Sequence, residues 1–149
     1  MKPAPSRPAD GLAAGAAAGA LGGLPSTAHA LLTGRDPLEA TLAAGTIVLP
    51  KERRRLPLLL AAVPVHGAIS IGWGLVLARL LPRGREPWLG AAAGLGIAGL
   101  DLGLLARLFP RVRALPLGPQ LADHALFGAI AGAVLARRRR SLERGDPER

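Results

Sequence analysis

Five ionisable residues interrupt apolar sequence in this 149-residue chain: His29, His66, Asp101, Asp123 and His124. Ionisable side chains are costly inside a lipid bilayer, and where they occur they mark ion paths, proton relays or ligand sites. Imidazole and carboxylate together could pass a proton or hold a cation. Histidines on facing helices could instead ligate a haem or a metal, or the groups could act as acid and base in an intramembrane reaction. The plainer alternative is a hydrogen-bonded network that locks a bundle. Gln120 lies one helical turn before His124, Ser70 one turn after His66, and Asp123 is favoured by a nearby helix N-terminus. A functional site would rest first on Asp101, the deepest carboxylate, and His66.

The elements that must carry these residues are apolar runs. Gly11 to Thr33 and Leu56 to Ala78 contain no charged residue, and ~20 such residues cross the hydrocarbon core. A third run, Trp88 to Phe109, is interrupted by Asp101 and Arg107; a fourth, Pro119 to Ala136, carries Asp123 and His124 near its start. The reading is an all-α polytopic membrane helix bundle with about four transmembrane helices. They cover about 11–33, 56–81, 88–109 and 119–136, with polar tails at 1–10 and 137–149. Trp88 fits a membrane interface, Pro119 a first helical turn, and Arg137, Arg138, Arg139 and Arg140 an abrupt end to the last span. Pro25 and Pro64 predict kinks. Ala28-His29-Ala30 matches a signal-peptide cleavage pattern, but the apolar run continues through Leu31 and Leu32, so an uncleaved first span is expected.

Between the first two spans, Asp36 could cap a helix with Pro37 at its first position and Glu39 completing a capping box. Such a helix over about 37–49 would measure ~20 Å, short for crossing. We read it as interfacial or re-entrant, ended by Pro50 and by Lys51, Arg53, Arg54 and Arg55. With four alternating spans, His29, His66, Asp101 and His124 lie ~6–15 Å below the face opposite the termini. A fifth span at 38–49 would move His29 to the other side. Loop cations are more numerous on the side of the termini, which favours termini in the cytoplasm of a bacterial plasma membrane.

Small residues supply the packing faces. Gly11, Gly15, Gly19 and Gly23 recur every fourth position, and Gly90 with Gly94, Gly99 with Gly103, and Gly128 with Gly132 repeat the spacing. Ser70 and Gly74 continue it on the second span. Such GxxxG faces let backbones approach closely. Packing within one subunit is the first expectation, and a homo-oligomer or a membrane-protein partner the second.

Composition narrows the remaining classes. The absence of Cys removes disulfides, Cys-type zinc sites and thiol catalysis. The net charge of +9 sits at the edges of apolar runs rather than interleaved with aromatics, so the partner is the lipid bilayer and no nucleic acid is expected. No HExxH, GxSxG or P-loop motif occurs, so an enzyme is disfavoured and no cofactor, catalytic residue or metal ligand set is assigned. Arginine supplies all but two of the 19 basic residues, in keeping with GC-rich codon usage. The segments PSTAHALLTGRDPLEATLAAG, HGAISIGWG and PQLADHALFGAIAG together resemble uncharacterised small multi-pass membrane proteins of GC-rich bacteria. That resemblance covers nearly the whole chain and implies no activity and no functional residue. The leading expectation is a structural or accessory membrane component. The alternative is a small transporter or channel using the His/Asp band, and a haem- or metal-binding bundle stands third.

Overall fold

Pro8 sets the start of the first helix, because its missing N–H costs nothing in a first turn. In the computed structural model, which describes residues 7–144, α1 (Pro8–Leu21) begins there. The Asp10 carboxylate turns back to accept the Arg7 amide at 3.1 Å. Leu21 stands four residues before Pro25, and a proline ring clashes with the carbonyl at that position. The helix stops at Leu21, Gly22 and Gly23 form a turn, and α2 (Leu24–Leu32) carries Pro25 in its first turn. The single span expected over 11–33 is therefore two helices. Pro64 has no such effect: α4 (Arg55–Leu80) runs through it. Leu60 to Val63 contain no glycine, so the backbone there has no low-cost alternative to helix.

The short segment is smaller than expected. Helix α3 (Glu39–Gly45) has seven residues, ~10 Å of rise, far too little to cross a bilayer. Asp36 does not open a capping box. Its side chain accepts the Leu38 amide at 3.0 Å, while Glu39 pairs with Arg35 at 3.0 Å. Arg55 reaches back to Asp36, which ties the start of α4 to the segment before α3. Leu42 and Ala43 are buried, and a Cβ on Gly45 would meet the Leu58 carbonyl, so α3 lies flush against α4.

Helix α5 (Glu86–Leu108) leads through the single turn α6 (Pro110–Arg113) into α7 (Leu117–Arg144). The last helix continues past Ala136, the end expected from hydropathy. Apolar character ends at Ala136, but Arg, Leu and Glu remain good helix formers. Among the described residues all regular structure is helical. Helices α4 and α5 are long and apolar enough to cross a membrane, and only 17% and 22% of their apolar windows are buried within the fold.

Close approaches are built on glycine. A Cβ on Gly15 would meet the Ser70 carbonyl, and one on Gly74 would meet the Gly11 carbonyl at 2.5 Å, so α1 and α4 touch backbone to backbone. Gly90, Gly94, Gly128 and Gly132 do the same between α5 and α7. Gly23, Gly99 and Gly103 face open space instead. Gly23 falls in the helix break, and the lower half of α5 turns its outer face away from the bundle, with Leu100, Leu104 and Leu108 more than 60% exposed. Helix α1 packs on α4 and α7, and α7 packs on α5. Helices α4 and α5, though joined by a short loop, rest on these neighbours rather than on each other.

Candidate functional site

The break between α1 and α2 leaves backbone groups without helical partners, and two of the five ionisable residues satisfy them. His66 on α4 places Nε2 2.8 Å from the Gly19 carbonyl, in the last turn of α1. A carbonyl only accepts, so Nε2 carries the hydrogen. Asp123 on α7 accepts the Ser26 amide on Oδ1 at 2.8 Å, in the first turn of α2. A carboxylate at a helix N-terminus is favoured by the amide dipoles there. Ser26 and Thr27 hydroxyls both donate to the Gly23 carbonyl, at 3.2 and 3.0 Å. The broken helix is thus held open by side chains from two other helices.

The remaining pair is arranged differently. His124 donates through Nδ1 to the Gln120 carbonyl one turn earlier, at 2.8 Å. This fixes Nδ1–H, and the opposite nitrogen, Nε2, stands 3.5 Å from Asp101 Oδ2 on α5. A bare Nε2 lone pair facing an ionised carboxylate would repel it. An attractive contact requires one proton, on Nε2 or on Oδ2, between the two helices. The separation exceeds the 2.7–3.2 Å of a formed hydrogen bond, which leaves the contact room to shorten or open. His124 and Asp101 are 20% and 24% exposed, so neither is sealed from the space beside them.

That space is a cavity of about 440 Å³. Its wall includes the break at Gly22 and Gly23, His66 and Trp73 of α4, Asp101 of α5, and Gln120, Asp123, His124 and Phe127 of α7. Residues of α3 and Val112 of α6 complete it, and most of the wall is apolar. Four of the five ionisable residues singled out in the sequence therefore border one cavity. His29 does not. Beyond the break α2 turns it toward a separate small hollow shared with Arg35, Asp36 and Glu39. The band expected to include His29 is a cluster of four. Among the described residues no three His, Asp or Glu side chains are grouped to hold a metal ion.

Sequence reading missed a second polar feature at the other end of the bundle. Asp10, only 2% exposed, accepts Arg138 Nε at 2.7 Å. Arg139, 5% exposed, donates to Glu86 at 3.1 Å and to the Ala78 and Leu81 carbonyls at 2.8 and 2.9 Å. Arg139 is therefore an interior partner, and Arg138 reaches from an exposed position to a buried carboxylate, so the pair is more than a simple stop signal. The available clue was an acid in the first turn of each of two helices that begin at the end where α7 finishes.

Comparison of the chain with family models, with curated proteins and with solved structures found no match.

Proposed function

We propose that this is a polytopic membrane protein whose His/Asp-bordered cavity binds a small solute and exchanges a proton at the His124–Asp101 pair. The reading begins from the outer surface. Leu56, Leu60, Val63, Leu80, Leu100, Leu104 and Leu108 are all more than 60% exposed on the two apolar helices. Such a surface is stable against lipid tails and is of the kind that marks a membrane or protein contact. In this arrangement α4 and α5 each span, α1 and α2 span as a broken pair, and α7 spans with its last basic turns emerging. Twenty-eight residues of α7 rise ~42 Å, more than the ~30 Å core requires.

The single observation that carries the functional part is the helix break beside the His/Asp cavity. Inside a bilayer, irregular backbone is tolerated only where protein or a water-filled cavity satisfies it, and transporters place their sites at such breaks. A purely structural network would bury its polar groups without leaving a cavity of 440 Å³ among them. The glycine faces at Gly11, Gly15 and Gly19, at Gly90 and Gly94, and at Gly128 and Gly132 are occupied within the chain, which leaves Gly99 with Gly103 as the open pair for a second subunit. Proteoliposomes with an imposed pH gradient and a trapped pH dye test the proposal. The wild-type protein should dissipate the gradient faster than empty vesicles, and Asp101→Asn should remove most of the difference. Wild-type rates equal to those of empty vesicles would sink it.

A further inference from the structure

We infer that the solute held in this cavity is a lipophilic organic monocation. The inference rests on reading the cavity as the functional site, and names the class of ligand it selects. Charge is the first argument. An attractive His124–Asp101 contact shares one proton and is neutral as a pair, and His66 turns its Nε2–H to the Gly19 carbonyl. Asp123 places a carboxylate on the cavity wall, where Oδ1 accepts the Ser26 amide. Among the described residues no Lys or Arg lines the cavity. An anion would find no counter-charge there.

Size and surface supply the second argument. About 440 Å³ lies within the range of pockets for small organic molecules and is far larger than a dehydrated inorganic ion needs. Trp73 and Phe127 are on the wall, and aromatic faces attract organic cations. Val63 and Ile69 border the cavity and are also exposed on the outer surface of α4. The rim is therefore apolar and continuous with the face assigned to lipid, a route suited to a cation with an apolar body.

Three probes of similar shape and different charge decide the matter: tetraphenylphosphonium, tetraphenylborate and neutral triphenylphosphine oxide. Binding of radiolabelled tetraphenylphosphonium to the purified full chain in detergent should be saturable above protein-free micelles. Tetraphenylborate and triphenylphosphine oxide should compete about tenfold less well or worse. Asp123→Asn keeps the oxygen that accepts the Ser26 amide, and should weaken binding by about tenfold or more, while Asp123→Glu retains it in part. Equal competition by the neutral or anionic probe would overturn charge selection and leave the cavity reading standing. Saturable binding that Asp123→Asn leaves unchanged would place the cation elsewhere and overturn the inference. Absence of saturable binding by tetraphenylphosphonium would overturn it too, and dissipation of the pH gradient by the same protein after reconstitution into proteoliposomes would show that the cavity reading survives.

Discussion

His124 Nε2 faces Asp101 Oδ2 across 3.5 Å while its Nδ1 is committed to the Gln120 carbonyl, so a single proton on either atom would join α5 to α7 at the cavity. Asp101→Asn replaces the carboxylate with an amide that can itself donate to Nε2. The substitution should convert His124 to the neutral Nδ1–H form. Nitrogen-15 spectra of histidine-labelled protein would show this as a bare Nε2 resonance in the variant and a proton-bearing one in the wild type. A bare Nε2 in both would mean that the wild-type imidazole carries no second proton.

Glycine positions separate into two groups whose substitutions should differ in sign of importance. A Cβ on Gly128 would strike the Gly90 carbonyl, and backbone cannot swing aside. Gly128→Ala should cost about 1–3 kcal/mol, the range for overpacking a close contact, and lower the melting temperature in detergent. Gly103→Ala meets open space and should stay within about 0.5 kcal/mol of the wild type. Equal melting temperatures for the two variants would contradict the α5–α7 contact.

At the end of the bundle near the termini, Arg139→Met would strand the buried Glu86 carboxylate and the Ala78 and Leu81 carbonyls. Breaking a buried pair in this way costs about 3–5 kcal/mol. Adding Glu86→Gln to Arg139→Met should recover part of the loss, because it removes the stranded charge. Additive losses in the double variant would show that the two residues do not interact.

The α3–α4 connection should respond to acid. Glu52 is held down to about 2 by its bonds from the Arg54 side chain and the Arg54 and Arg53 amides, and Arg55 lowers Asp36 below its ordinary value. Both are depressed carboxylates, so their contribution is present above the ordinary carboxylate range and is lost as pH falls toward their folded values. For Glu52 that window runs from its usual 4.5 down to about 2. Hydrogen exchange at the Arg53 and Arg54 amides should stay protected at pH 5, after correction for intrinsic rates, and lose protection near pH 2. Loss already complete at pH 4 would contradict the assignment.

How much of this was legible in sequence depends on what each boundary requires. Helices Arg55–Leu80 and Glu86–Leu108 lie within a residue or two of the runs read as 56–81 and 88–109. Long apolar runs flanked by arginine and proline leave little choice. The break at Gly22 and Gly23 was not legible, because the same glycine spacing serves packing at Gly15 and a turn at Gly23. The sequence marks Pro25 as a kink, but whether a helix bends or stops depends on Asp123 and His66, residues from distant helices. The same break separates His29 from the other four ionisable residues. Arg138 and Arg139 were read as a stop because hydropathy ends there. Their acidic partners, Asp10 and Glu86, lie far away in sequence and meet them only because the starts of α1 and α5 pack beside the end of α7.

The claim on which the rest depends is that the His/Asp cavity is reached by water inside a membrane while the outer faces of α4 and α5 are not. The chain contains no cysteine, so a single introduced thiol reports one position. The decisive measurement is modification of Thr27→Cys, on the cavity wall, and Leu104→Cys, on the outer face of α5, in sealed vesicles by a small charged thiol reagent. The account predicts modification of Thr27→Cys from one side of the membrane and none of Leu104→Cys from either. Protection of Thr27→Cys from both sides, or equal reaction at Leu104→Cys, would contradict it.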